Sequence, residues 1–393
     1  MTTSQAARPA GRLDRLLAAL TTVRAPHQAA VLRIGLSAVV LAFLLREWPH
    51  RHVLYGNRSP LSFELAQVLV REERTFTVLA WGDGALWFEA VYLVTVAAAL
   101  AVLLGWRTRG TTVVLMAGVL SIVNRNTLVG DGGDNVIRIM VIYLVFTRCA
   151  QVWSLDARRA RLRADRGARD TAWPACDPAG LLLWAASVAV LVPLPSYPTR
   201  GWVLVFWTLW AVQGLWYAAE LWFPRHEARA VLDAAGAMLH NAAMVVVTAQ
   251  VCLVYATAGW YKIQGTRWQE GSALYYALHL DYFTPWPGLS GALAGSTVLV
   301  LALSYATVMV QVAFPFTLAN RRVKNVLLAA MIAEHLGIAV VLGIPFLSMA
   351  MVVCDAVFLP TAFLVALGAR CTRLAVRLRS VPSAKARPLP STG

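Results

Sequence analysis

Lysine is scarce in this chain. Only three of its thirty-five basic residues are lysines. One of them, Lys262, closes an apolar run in Tyr255-Ala-Thr-Ala-Gly-Trp-Tyr-Lys262-Ile-Gln-Gly-Thr-Arg-Trp268-Gln-Glu-Gly271. Arginine keeps its proton in any protein setting, whereas a lysine taken out of water can release it and act as a base. Lys262 is therefore the first candidate for proton chemistry. Trp260, Tyr261 and Trp268 stand beside it as candidate binding residues. The simpler role for such a lysine is to lie along apolar surface with its ammonium at the interface.

A second polar constellation is Asn124-Arg-Asn126-Thr-Leu-Val-Gly-Asp131-Gly-Gly-Asp134-Asn135, set between two apolar runs. Polar groups at membrane depth are costly unless protein or water satisfies them, and glycines let backbone approach a ligand closely. Asp134 is a candidate catalytic carboxylate, and Asn126, Asp131 and Asn135 are candidate substrate contacts. The competing role is a helix cap by Asp134 or Asn135 ahead of Val136. Arg138 stands four residues after Asp134, a spacing that predicts an ion pair. Third comes Glu334-His335, near the middle of an apolar run, where His335 is either an interhelical hydrogen-bond partner or a pocket or proton-relay residue. His240, Asn241, Gln250, Gln213, Glu220, Gln311 and Asp355 are further polar residues inside apolar segments.

The elements that must position these groups are membrane helices. Hydrophobic residues make up 59% of the chain and charged ones 14%, against about 25% charged in a soluble domain. Ten apolar segments can be drawn, at roughly 29–46, 86–105, 111–124, 135–150, 180–196, 201–222, 238–260, 292–318, 324–342 and 345–368. The third, fourth and fifth are short for a span of roughly 20 residues. The expected fold is an all-α polytopic membrane protein, a bundle of about eight to ten transmembrane helices with both termini cytoplasmic. The expected divisions are a cytoplasmic segment 1–28, a membrane domain 29–368 and a basic, disordered cytoplasmic tail 369–393.

Orientation follows from the arginines. Arg8, Arg12, Arg15 and Arg24, then Arg107 and Arg109, the run Arg158 to Arg169, Arg225 and Arg229, Arg321, Arg322 and Lys324, and the tail all fall on one side. That is the positive-inside pattern of a cell-membrane protein. It puts Lys262 and the Asp134 loop on the extracytoplasmic side. The net charge of +15 is thus explained by topology, and nucleic acid is not an expected partner. The first apolar run has no small-residue cleavage site and reads as a retained helix. The five cysteines form no CxxC pair, so neither a disulfide framework nor a zinc site is expected, and no metal is assigned. Nucleotide, zinc-protease and acyl-hydrolase motifs are absent from the sequence.

The stretch Tyr255-x-x-Ala258-Gly259-x-x-Lys262 with Trp268-x-x-Gly271 resembles the membrane domain of vitamin K-dependent gamma-carboxylase and its bacterial relatives, the HTTM (horizontally transferred transmembrane) family. Trp153-Ser154-Leu155-Asp156, Asn124-Arg-Asn126, Gly132-Gly133-Asp134-Asn135 and the block His335-Leu-Gly-Ile to Gly343-Ile-Pro-Phe346-Leu-Ser348-Met share in it, over about residues 27–368. The resemblance implies that Lys262 is the base that deprotonates a lipid hydroquinone, made competent by burial beside Trp260 and Tyr261. Reduced menaquinone or another lipid quinol would be the bacterial counterpart. The sequence departs from the carboxylase in three ways. Asp134 stands near the place of a functional histidine, the interval from Lys262 to Trp268 is one residue longer, and no large soluble segment follows the last helix. Two other readings fit the same sequence: a non-enzymatic or partner-dependent protein in maturation or export of a small secreted peptide, and a transporter.

Overall fold

The computed structural model describes residues 20–167, 178–192, 200–222 and 227–380. Arg8, Arg12, Arg15, Arg169, Cys176, Arg225, Lys385, Arg387 and the segment 382–393 lie outside them. Among the described residues all regular structure is helical. The helices that carry the architecture are α1 (Pro26–Glu47), α2 (Ala85–Leu104), α3 (Thr108–Arg125), α4 (Gly132–Val145), α5 (Arg200–Trp222), α6 (Glu227–Gln264), α7 (Thr297–Ala313), α8 (Arg321–Val341), α9 (Pro345–Asp355) and α10 (Thr361–Ser380).

Six helical segments are long and apolar enough to cross a membrane: Pro26–Leu54, Ala85–Leu104, Gly201–Ala219, Glu227–Gln264, Thr297–Thr317 and Arg321–Val341. The chain is a multi-pass helical membrane protein on that ground. A seventh candidate is the pair Pro345–Phe358 and Thr361–Leu374, if its two arms, bent by 114°, form one broken span. The expected eight to ten included the segments that became α3 and α4. These pack closely against other helices, α3 between α2 and α4, and α4 against α1 and α9. Fourteen residues of α4 reach only about 21 Å, short of the roughly 30 Å hydrocarbon core. The core runs through Leu32 and Leu36 of α1, Tyr92 and Val102 of α2, Leu115 and Leu120 of α3, and Val247 of α6.

One buried cation ties an end of this core together. Arg33 is fully buried and donates to the carbonyls of Val102 (2.6 Å), Leu103 (2.7 Å), Cys149 (3.2 Å) and Trp153 (2.8 Å). It thus supplies donors to carbonyls at the end of α2, that of Leu103 and that of Val102, which also accepts from the Gly105 amide. Gly105 follows with φ +68° and a Cβ there would meet Ser154, so only glycine makes this turn. Asp156 then caps α3 from a distance, accepting from the Arg107 and Thr108 amides at 2.9 Å each. The Trp-Ser-Leu-Asp stretch is therefore a structural knot.

The same end gathers the starts of α1 and α8 and the first half of α6. His240 Nε2 lies 2.7 Å from the Arg24 carbonyl and its Nδ1 accepts from the Arg148 amide at 3.0 Å. Gln28 donates to the Leu359 carbonyl and Lys324 to that of Phe358. Segment 345–368, expected as one helix, breaks here because Pro360 cannot continue a helix and disfavours it in the residue before. Helix α10 then runs to Ser380, so residues 369–380, expected as disordered tail, are helical. Lys262 lies at the opposite end: α6 has 38 residues, about 57 Å, and Lys262 is 22 residues, about 33 Å, beyond His240.

Candidate functional site

Helix α6 presents Tyr255, Gly259 and Lys262 on one face, at helical spacings of four, three and seven. Tyr255 and Gly259 are buried and Lys262 is half-buried. Gly259 sets how near α7 can come. An added Cβ would lie 2.6 Å from Val312 Cγ2, so the two helices touch backbone to side chain. That approach places Gln311, the residue before Val312, against Lys262.

Lys262 Nζ donates to Gln311 Oε1 at 2.8 Å, and Gln311 Nε2 donates to Glu334 Oε1 at 2.5 Å. The three side chains come from α6, α7 and α8 and form one polar chain across them. A carboxylate only accepts, so Glu334 takes the amide's N–H end and turns its oxygen to the lysine. The partner of Lys262 is thus a neutral carbonyl oxygen, which an ammonium and a neutral amine can both serve as donors. On its other side the ammonium lies 5.3 Å from the Trp268 ring centroid, within cation–π range.

Trp268 reaches that place through a turn. After α6 ends at Gln264 the chain reverses at Gly265, whose carbonyl accepts from the Trp268 amide at 2.9 Å. Gly271 closes the loop with φ +71° and a Cβ there would meet Leu301 at 2.4 Å. The Tyr305 hydroxyl of α7 donates to the Gln269 carbonyl at 2.7 Å and holds the loop down. Trp260 and Tyr261, expected beside the amine, point away from it, 60% and 74% exposed on the outer side of α6. They lie 200° and 100° around the helix from Lys262, as helical geometry requires of residues two and one before it.

About 10 Å deeper along α6 lies a second polar group. The Tyr255 hydroxyl donates to Asp355 Oδ1 at 2.8 Å and lies 3.1 Å from His335 Nε2. His335 follows Glu334 on α8, and Asp355 ends α9, so adjacent residues of α8 serve the two groups. Tyr255 is also packed edge-on against Phe314. His335 Nδ1, Asp355 Oδ2 and, further along α9, Ser348 Oγ are buried with no protein partner among the described residues. Such atoms are costly unless a polar guest or water meets them.

The Asp134 constellation is arranged differently. Asp131, not Asp134 or Asn135, is the N-cap of α4, accepting from the amides of Gly133 (2.6 Å) and Asp134 (3.3 Å). Asp134 Oδ2 accepts in return from the Asp131 amide at 2.8 Å, completing a reciprocal capping box. Arg138 donates to Asn124 (3.2 Å) and Asn135 (2.8 Å) rather than pairing with Asp134. Asn126 is buried and donates to the Leu54 carbonyl at 2.8 Å, while Asn124 donates to that of Phe76 at 2.8 Å. These amides fasten the segment between α1 and α2 onto the end of α3. Asp134 also lines a cavity of about 20 Å³ that is otherwise walled by Val40, Phe43, Leu44, Val119, Ile122, Val123 and Ile137. It stands outside the six candidate spans, and burial pushes its carboxyl up, opposed by the Asp131 amide. The hydrogen bonds of Lys262 and Asp134 run to different helices, and none of them joins the two.

Gln311, Glu334 and Asp355 carry the site alongside the expected Lys262, Trp268 and His335. Each is visible in the sequence as a polar residue in an apolar run. Their pairing is not, because it depends on Gly259 bringing α6 to α7. Among the described residues no three His, Cys, Asp or Glu side chains gather in a metal-binding arrangement. The chain matches no family model, no curated protein and no solved structure.

Proposed function

We propose that the chain is a membrane enzyme related to the HTTM proteins, in which Lys262 takes a proton from the hydroxyl of a lipid quinol dissolved in the bilayer. The observation that carries this reading is the hydrogen bond of the half-buried Lys262 to a neutral amide. A direct carboxylate partner would hold the lysine as an ammonium, whereas Gln311 leaves the amine able to accept a proton and still donate to its oxygen. In the step assigned here the hydroxyl O–H bond breaks, an N–H bond forms at Nζ, and the ammonium is held over Trp268 and against Gln311. Glu334 acts through Gln311 as a positioning residue and supplies the compensating negative charge that a buried ammonium needs.

The residues suit a quinol in kind. Trp268 offers an aromatic face and Lys262 an amine. The unpartnered His335 Nδ1 and Asp355 Oδ2 supply hydrogen-bonding capacity beneath them. Bound there, a quinol would supply the acidic hydroxyl and reducing electrons. The arginine distribution supports placing this end outside the cytoplasm, with both termini inside. Asp134 is assigned a structural role in this reading, since its carboxylate serves the cap of α4.

The test is turnover of a reduced menaquinone analogue by protein in lipid nanodiscs under air. Lys262→Met and Lys262→Arg are expected to lose turnover by a factor of at least about a hundred, as removal of a general base does. Full turnover by both variants, with the same elution and helicity as the wild type, would end the proposal.

A further inference from the structure

The last described helix meets its neighbour at a sharp angle. After α9 the chain turns by 114° into α10. The turn is fixed, not loose: Pro360 interrupts the helix, and Gln28 holds both the Leu359 carbonyl and the Thr361 hydroxyl at 2.9 Å. One face of α10 is seated on the protein. Leu364 is 1% exposed, and Gly368 lies so close to Trp153 that a Cβ would be 2.6 Å from its ring. A helix bent past perpendicular to its neighbour and docked by one narrow face leaves its other faces open.

The rest of α10 is exposed and sorted by chemistry. At 100° per residue, Phe363, Leu367 and Leu374 fall within about 40° of one another, and they are 53%, 44% and 59% exposed. Arg370, Arg373 and Arg377 are exposed too and fall within about 60° of one another, on the adjoining sector away from the docked face. The helix therefore shows a docked face, an apolar sector and an adjoining cationic sector, with Val365, 48% exposed, on the remaining side. An apolar sector next to an arginine sector is the pattern of a helix lying at the boundary of acyl chains and headgroups. Long arginine side chains reach the headgroups from there.

We propose that α10 is an in-plane anchor that binds anionic phospholipid headgroups of its own bilayer through Arg370, Arg373 and Arg377, at the end of the molecule opposite Lys262. The partner is a lipid surface rather than a soluble anion because the cationic sector adjoins exposed apolar side chains. Each arginine near an anionic surface is worth about fivefold in partitioning, so the three together give about a hundredfold.

Cys371 offers the probe, since it is exposed on α10 while Cys149 and Cys354 are buried. The full chain, carrying Cys176→Ser and Cys252→Ser, is labelled at Cys371 with an environment-sensitive fluorophore. It is then placed in nanodiscs of phosphatidylcholine alone or phosphatidylcholine with phosphatidylglycerol. The expected result is a blue-shifted label, several-fold less quenched by a water-soluble quencher, in the anionic discs only. Arg370→Gln, Arg373→Gln and Arg377→Gln together should abolish that difference, and the three lysine replacements should keep it. A label equally accessible in both lipids would overturn the proposal, and so would glutamine replacements that leave the anionic protection intact.

Discussion

Gly259 is where a single methyl group decides the site. A Cβ at that position would stand 2.6 Å from Val312 Cγ2, about 1 Å inside the normal carbon–carbon separation. The valine cannot swing away at small cost, because a β-branched side chain in a helix has one strongly preferred rotamer. In Gly259→Ala, α6 and α7 must therefore part by about 1 Å. Lys262 and Gln311 lie three residues and one residue from the clash, so their 2.8 Å hydrogen bond opens to about 3.8 Å, beyond hydrogen-bonding range. Overpacking costs about 1–3 kcal/mol and the lost hydrogen bond about 1 kcal/mol more. Val312→Ala removes the opposing methyls and should restore the approach in the double variant. The assay is reversible unfolding of the four proteins by sodium dodecyl sulfate in lipid-detergent micelles, with quinol turnover as second readout. A coupling of about 1–3 kcal/mol in favour of the double variant is expected. Strictly additive effects, or an alanine at 259 that leaves stability and turnover unchanged, would refute the close-approach argument.

Three further outcomes follow from the same geometry. Tyr255→Phe leaves Asp355 Oδ1 and His335 Nε2 without the hydroxyl they share, so unfolding should become easier by about 1–3 kcal/mol for each stranded group, measured in the same assay. Asp131→Ala removes the cap of α4 and should cost about 0.5–2 kcal/mol while turnover persists, whereas selective loss of turnover would assign that carboxylate to the chemistry. Arg33→Leu strands carbonyls of Leu103, Cys149 and Trp153 and should cost more than about 3 kcal/mol or prevent folding, read from expression and monodispersity; an Arg33→Leu protein as stable as the wild type would contradict the tie.

Most helices were legible in the sequence because their apolar runs are long and bounded by arginine. Alternation of apolar and polar stretches does not reveal which helices pack against which, and α3 and α4 show this. Both read as membrane segments, and both are short or charged at their ends and bury many side chains against their neighbours. The break before α10 had its signal in Pro360, which hydropathy averaging passes over. At the site, Lys262 stood out by residue type, and Glu334-His335 by its depth in an apolar run. The partner of Lys262 was hidden for a different reason. Residue order along α6 suggested Trp260 and Tyr261, but neighbours in sequence diverge around a helix, and the contacts came from a loop residue further along the chain and from α7. Asp131 and Asp134 show the limit of motif reading in the other direction. Two carboxylates among glycines suggest chemistry, and here both are engaged in starting a helix.

The central claim is that Lys262 is the group that meets the substrate. Its most direct measurement is a structure of the protein in nanodiscs with a slowly reacting naphthoquinol analogue. The account predicts ring density against Trp268 with one hydroxyl oxygen about 2.6–3.2 Å from Lys262 Nζ, the reach of a general base. A ring bound elsewhere, such as beside Asp134, with Lys262 still bonded only to Gln311, would contradict it.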